Sequence, residues 1–511
     1  MLAAENGGLP RGKVGGLGDV VRDLPKALAA RGHRVTVMTP AYGMFARLPG
    51  AKRVGSVSVP FAGAVESVSC LALPGPVDGV EYQILDHPRF SPDGSESIYH
   101  DDGHGAPFAT DANKFAFFSA AAAAWVGRLK PVPDVLHLHD WHLGFFFLLR
   151  AFNPRLKALK SIRSVFTIHN MAVQGIRPIK TTESSLEHWF PQLKYPVEIV
   201  ADPRYADCLN PLAVAIRLAD MVNTVSPAYV DEIIVPNDEI TGFRGGEQLE
   251  DVLELRHRNG ELVGILNGCD YPETQKRKPS WKQLVEILRQ EVLSWIAGSD
   301  SVDAGAYVAE KRIAELPKKR PGIIATSVGR VNEQKLGIFR QPAAKSALAI
   351  DRVLAALDDG LLIMLGSGDP EYERFFVDRS VQHPNLLFLK GYSDPLSAAL
   401  YSAGDLFLMP SVFEPCGISQ MLAMRAGQPC VAHAVGGLRD TVKSSNGFPF
   451  DGQNPRQQAE HFVREVAAAI DLKQSRPNRW KAIVSAASSE RFSWDKSAKA
   501  YLSEVYAFAS A

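Results

Sequence analysis

With 511 residues, 46% of them apolar and 22% charged, the chain is long enough to build two cores and too apolar to remain disordered. Its 56 basic and 56 acidic residues cancel, which excludes the broad phosphate neutralisation of a nucleic-acid binder and still permits a local cationic pocket. Five cysteines without a CxxC spacing exclude a disulfide scaffold or a structural zinc site. No uninterrupted apolar run approaches the ~20 residues of a membrane span, so a soluble, cytoplasmic chain without a membrane partner is expected, its oligomeric state open.

In chain order, only residues 1–4 precede Glu5 and a glycine-rich loop over 6–18, so the first strand is very short or the start has lost residues. A helix is predicted over 20–30 despite Pro25, then a strand over 34–38. Further strands are predicted over 135–138 and 164–168, with helices over 114–125 and 212–218. This alternation predicts an α/β fold with a mainly parallel sheet, whose ligands collect beyond the carboxyl ends of the strands. After a less regular central stretch, compact strands are predicted over 323–328, 361–365, 386–389, 406–409 and 430–432. They predict a second α/β domain, dividing the chain into 1–250, 251–485 and an aromatic helical tail, 486–511, that crosses back to the first domain or ends on the second.

Polar clusters follow these strands. In Lys13-Val14-Gly15-Gly16-Leu17-Gly18-Asp19 the glycines admit close approach of a ligand or simply form a tight turn, and neither nucleotide-loop pattern, GxxxxGK[ST] or GxGxxG, is present. Asp140-Trp141-His142 and His169-Asn170, with Gln174-Gly175, place polar groups where a hydroxyl-rich substrate can be oriented. His137 and His139 fall on one strand face and could join Asp140 or His142 around a metal, but no second ligand set accompanies them and no catalytic metal is expected. Arg330 and Lys335 can neutralise a leaving diphosphate. In Glu414-Pro415-Cys416-Gly417, with Gln420 nearby, the carboxylate can accept hydroxyl hydrogen bonds while Gly417 lets the backbone come close. Asp140 and Glu414 could instead form a hydrolase-like carboxylate pair, but the cationic pair favours transfer from a phosphorylated donor.

On these motifs, and on 224–227, 264–270, 436–442 and Gly447-Phe448, the chain resembles the bacterial glycogen synthases and plant starch synthases along almost its whole length. The resemblance implies a GT-B fold of two Rossmann-like domains with a catalytic interdomain cleft. It implies retaining transfer of glucose from ADP-glucose, with UDP-glucose second, to the nonreducing end of an α-1,4-glucan or malto-oligosaccharide, without a cofactor beyond the nucleotide sugar. By it, Lys13, Gly15, Gly16, Gly18 and Asp19 join Arg330 and Lys335 at the donor phosphates. Tyr392 stacks on the base, Glu414 holds donor hydroxyls, and Cys416, Gly417 and Gln420 frame the sugar. His169 contacts the transferred glucose, Asp140 orients the site, and Asn170 and Gln174 recognise sugar. Two departures stand out: Leu336 replaces a glycine, and Asn267-Gly268-Cys269-Asp270-Tyr271 lacks a Trp-Asn-Pro continuation. A transferase with another donor or acceptor, and a noncatalytic glucan-binding regulator, are the competing readings.

Overall fold

The computed structural model describes residues 1–103, 105–271, 278–298, 303–344 and 347–507. By its contacts the chain divides into two units, one of residues 1–237, 245–268 and 494–511 and the other of 238–244 and 269–493.

The first unit contains β1 (Val35–Pro40), β2 (Lys52–Phe61), β3 (Ala64–Pro74), β4 (Val80–Asp86), β5 (Val135–His139), β6 (Arg163–Ile168), the short antiparallel pair β7 (Arg177–Pro178) and β8 (Cys208–Leu209), β9 (Met221–Thr224) and β10 (Leu262–Gly264). Two ladders run β1-β4-β3-β2 and β10-β9-β6-β5. Leu2 forms parallel bridges to both Met38 and Leu138, so the opening residues supply the rung that joins them. The antiparallel run from β2 to β4 was not among the predicted strands. Its signal is the period-two alternation that buries Val57, Val59 and Phe61. Ala62 and Gly63, both at positive φ, close the β2–β3 hairpin, the geometry a two-residue turn needs to match strand twist.

The helix Gly16–Ala29 starts inside the glycine loop, ahead of residue 20, and buries Leu17, Val20, Val21, Leu24 and Leu28 at three- and four-residue spacing. The helix Ala109–Val126 is buried nearly all round, with Phe115, Phe117 and Phe118 packed among alanines. In the tail, the helix Trp494–Ala500 runs into a π-turn over Tyr501–Val505, and Trp494, Tyr501, Val505 and Tyr506 belong to this unit's core.

The second unit is a six-stranded, all-parallel sheet of β11 (Ile324–Val328), β12 (Leu361–Gly366), β13 (Leu386–Lys390), β14 (Leu406–Met409), β15 (Cys430–His433) and β16 (Phe448–Phe450), ordered β13-β12-β11-β14-β15-β16. A parallel sheet is covered on both faces, so its strands read as continuous apolar runs. Along β12, Leu361, Ile363 and Leu365 enter one core cluster while Leu362 and Met364 enter the other. The stretch read as less regular holds two helices, Trp281–Ala297, opened by a Ser280/Gln283 capping box, and Ala304–Glu315.

Both predicted boundaries shift. β10 pairs with β9 through the intervening helix Glu250–Arg258, which keeps residues 251–268 in the first unit. The helix Pro477–Ser489 stays in the second unit because Trp480 and Ile483 enter its core, so the first unit resumes at Trp494 and not at 486.

Candidate active site

Each sheet reverses its direction of growth once. In the first unit the chain leaves the Leu2 rung for β1 on one side and later for β5 on the other. In the second it leaves β11 for β12 and β13 and then returns to β14 on the opposite side. Loops diverge at such a reversal and leave a crevice at the carboxyl ends of the strands. The glycine loop and Asp140 follow the first reversal, and Arg330 and Glu414 follow the second.

Glu5, which the sequence reading passed over, organises the glycine loop. Its buried Oε2 accepts the Val14 and Gly15 amides, each at 2.8 Å, and its Oε1 accepts the Tyr99 hydroxyl at 3.0 Å. These amides are therefore held by a carboxylate in the protein itself. A Cβ at Gly18 would lie 2.9 Å from Glu5 Oε2, so the loop closes only around glycine there, whereas Gly16 faces open space. Lys13 is exposed and pairs with Asp19 at 2.8 Å, and Asp19 also meets Arg22 at 3.1 Å.

Asp140 adopts a left-handed φ of 56°, and its Oδ1 accepts the His169 amide at 2.7 Å. Desolvation raises its carboxyl to about 7. Asp140 thus fixes the backbone turn that presents His169. The His169 ring lies 3.1 Å from His139 Nδ1, and burial lowers its pKa to about 3, leaving it neutral. His137 and His139 do share a strand face, with ring centroids 4.2 Å apart. Both ring nitrogens of His137 are already engaged, at 2.8 Å with Tyr506 and 2.5 Å with Thr167, so it has no lone pair left for a metal. His142 is buried against Tyr99, Phe115 and Trp141.

Two expected sugar contacts are internal braces instead. Gln174 is buried; its Oε1 accepts from Arg204 and Asn210, and its Nε2 donates to the carbonyls of Met171 and Glu247. Gln420 is fully buried, and its Nε2 donates to the Cys416 and Gly417 carbonyls and to Thr441. The Gln174 amide is engaged at both ends, whereas Gln420 Oε1 is buried with no partner among the described residues. Asn170 is half-buried, with its Oδ1 on the Ala172 amide.

In the second unit a small pocket is lined by Gly329, Arg330, Lys335, Leu336 and Ser411 with apolar strand residues behind them. Arg330 is exposed and makes, among the described residues, only a long, 3.4 Å contact to Gln334. Asn332 caps the short helix Glu333–Leu336 through the Lys335 amide, which sets the lysine's direction. Its ammonium pairs with Glu414, whose Oε2 also accepts from Ser411 at 3.1 Å. Leu336 sits in the core, and Gly337 takes the close approach to Val412 beside it.

The loop after β14 is packed backbone to backbone. Gly437 donates its amide to the Glu414 carbonyl at 3.0 Å, and a Cβ on it would fall 2.4 Å from the Cys416 carbonyl oxygen. Gly417 holds φ at 75°, and Cys416 is buried. Tyr392, just beyond β13, is 60% exposed, with its hydroxyl on Asp394. The end of the second departure, Cys269 to Tyr271, is stitched within the second unit: Cys269 donates to the Phe492 carbonyl, Phe492 donates to the Tyr271 hydroxyl at 2.9 Å, and Arg491 lies over the Tyr271 ring.

Two α/β units, each with polar groups at a reversal of strand order, have the construction of GT-B glycosyltransferases, and the comparisons agree. The starch synthase catalytic domain family matches residues 1–255, and the glycosyl transferases group 1 family matches 324–467. Glycogen synthase from Anaeromyxobacter sp. (strain Fw109-5) is 34% identical over 509 residues, 96% of each chain. The Streptococcus sanguinis (strain SK36) glycogen synthase is 32% identical over 529 residues, 99% of each chain. Among solved structures, the catalytic domain of starch synthase IV from Arabidopsis thaliana, bound to ADP and acarbose, matches with a TM-score of 0.75 at 28% identity, covering 99% of this chain and 97% of that one. The chain belongs to the glycogen and starch synthase family. It is a glucosyltransferase that acts on an α-glucan and takes its sugar from a nucleotide-sugar donor. No helix among the described residues is long and apolar enough to cross a membrane.

Proposed function

We propose that the enzyme transfers glucose from ADP-glucose to the nonreducing end of an α-1,4-glucan with retention of configuration, without a metal or further cofactor. The observation that carries this reading is the grouping of Arg330, Lys335, Ser411 and Glu414 at one strand-end pocket. A nucleoside diphosphate arriving there would draw Lys335 from Glu414 to its phosphates and join it to Arg330, whose guanidinium is exposed. Glu414 would then accept hydrogen bonds from donor hydroxyls. The exposed Tyr392 ring is suited to stack on the base, and ADP in the starch synthase IV structure favours adenine.

On the acceptor side, His169 would contact the transferred glucose from the turn that Asp140 holds, with Asn170 beside it. Lys13 would add a further cation toward the phosphates, and the glycine loop would keep the shape Glu5 imposes. Acarbose, an oligosaccharide analogue, in the same relative supports a glucan chain as acceptor. The leaving diphosphate would take the proton of the incoming hydroxyl on the same face, so that positioning and charge stabilisation lower the barrier without a protein nucleophile. The cysteines, free thiols throughout, suit a reducing compartment, and we place the enzyme in the cytoplasm.

Incubation with malto-oligosaccharides and either ADP-glucose or UDP-glucose, resolving released diphosphate and product linkage and length, tests the reading. Successive α-1,4 additions, faster from ADP-glucose, are expected. A single short adduct, or preference for UDP-glucose, would replace the acceptor or donor assignment, and donor binding without turnover would point to a regulatory protein.

A further inference from the structure

The tail of the chain and the histidines of the first unit meet in one buried polar chain. Tyr506 Oη lies 2.8 Å from His137 Nδ1, and His137 Nε2 lies 2.5 Å from Thr167 Oγ1. Thr167 donates to Asn223 Oδ1 at 2.7 Å, and Asn223 Nδ2 donates to Tyr501 Oη at 3.0 Å. Counting hydrogens fixes the ring. Thr167 has a single hydroxyl hydrogen and gives it to Asn223, so toward His137 it can only accept. The proton of the neutral His137 is then on Nε2, and its Nδ1 lone pair accepts the Tyr506 hydroxyl.

The same count continues to the next ring. His139 packs on His137 with centroids 4.2 Å apart, and its Nδ1 lies 3.1 Å from His169 Nε2. Its other nitrogen, Nε2, is buried without a partner among the described residues. A buried N–H without an acceptor is rarer than an unused lone pair, so the proton sits on Nδ1 and is donated to His169 Nε2. His169 then carries its own proton on Nδ1, which remains the ring's hydrogen for a ligand.

We propose that Tyr506, assisted by Tyr501, is a positioning residue for His169. Its hydroxyl holds His137 in one tautomer and orientation, His137 holds the face of His139, and His139 directs the ring of His169. The inference rests on the reading that His169 contacts the transferred glucose.

Tyr506→Phe tests it, because the ring contacts to His137 and Tyr501 at 5.6 and 5.8 Å survive and only an oxygen is lost. The expected result is a near-unchanged Tm and donor KM, a kcat lowered about tenfold, and ¹⁵N-histidine signals of the free protein that change from one tautomer to a mixture at His137 and shift at His139 and His169. Unchanged imidazole signals overturn the proposal, whether activity is unaffected or falls with Tm. Should this variant not fold, Tyr501→Phe breaks the same chain at its other end and decides by the same signals. Because the spectra are read without donor, failure of the wild-type protein to extend glucan would sink the functional reading and leave this arm standing.

Discussion

Glu414 and Lys335 neutralise one another in the free protein, which makes each the reporter of the other. Lys335→Ala should lower kcat/KM by about 10²–10³, the usual loss when one preorganised group facing developing charge is removed. It should also cost about 1–3 kcal/mol of stability, since the buried Glu414 carboxylate then keeps, among the described residues, only the Ser411 hydroxyl. Steady-state kinetics beside urea unfolding separate the two effects, and a variant with full activity would remove Lys335 from the phosphate site. Arginine should not restore the lysine, because a planar fork does not reproduce a point charge at the end of a capped turn. At this scale the sequence is informative about charge and mute about commitment. The grouping of Arg330, Lys335 and Glu414 is legible because each charge follows an apolar strand. Gln174 and Gln420 look the same in sequence as sugar-binding amides, and only their burial reveals them as braces. Glu5 was missed because its partners are backbone amides, which leave no mark in side-chain identity.

Among the elements, the strands of the second unit were the most readable, since burial on both faces leaves uninterrupted apolar runs. The run from β2 to β4 was harder, because a sheet with one solvated face mixes serine, proline and valine and reads as loop without attention to period two. The helix Trp281–Ala297 carried its capping box in plain sight, but its apolar positions are interleaved with charge. Backbone packing between elements is the least visible layer. Gly437 opens onto the Cys416 backbone and not onto a flexible side chain, so Gly437→Ala has nothing soft to push aside. That variant should fold, lose several degrees of Tm, and lose donor binding more than glucan binding, as titration with ADP and with a malto-oligosaccharide would measure. Equal loss of both would mean the Glu414–Gly417 loop is not a donor element.

Over the whole molecule, titration is unevenly distributed. His137, His139, His142 and His169 all lie in the first unit, and burial holds each below the usual histidine range. Groups with depressed folded pKa values stabilise above their unfolded value of ~6.5 and lose that contribution as pH falls toward the folded one. Each contributes up to ~1.4 kcal/mol per pH unit, so four outweigh the opposite slope of Asp140. Raised to about 7, Asp140 loses stability as pH rises from its unfolded value of ~3.9. Burial holds His433 of the second unit low as well, so acidification weakens both units, and the first, with more such groups, should unfold ahead of the second within ~1–3 units below pH 6.5. Hydrogen exchange mapped across a pH series would show this, and simultaneous loss of both units would refute it. The tail has a consequence for how the protein is made. A ribosome delivers residues 1–268 early, but Trp494, Tyr501 and Tyr506 emerge only after all of 269–493. Until then the nascent first unit has an open seam where those rings belong and His137 lacks the Tyr506 hydroxyl. No partial translation product can carry a finished first half, and chaperones would meet that seam for as long as the second half takes to synthesise.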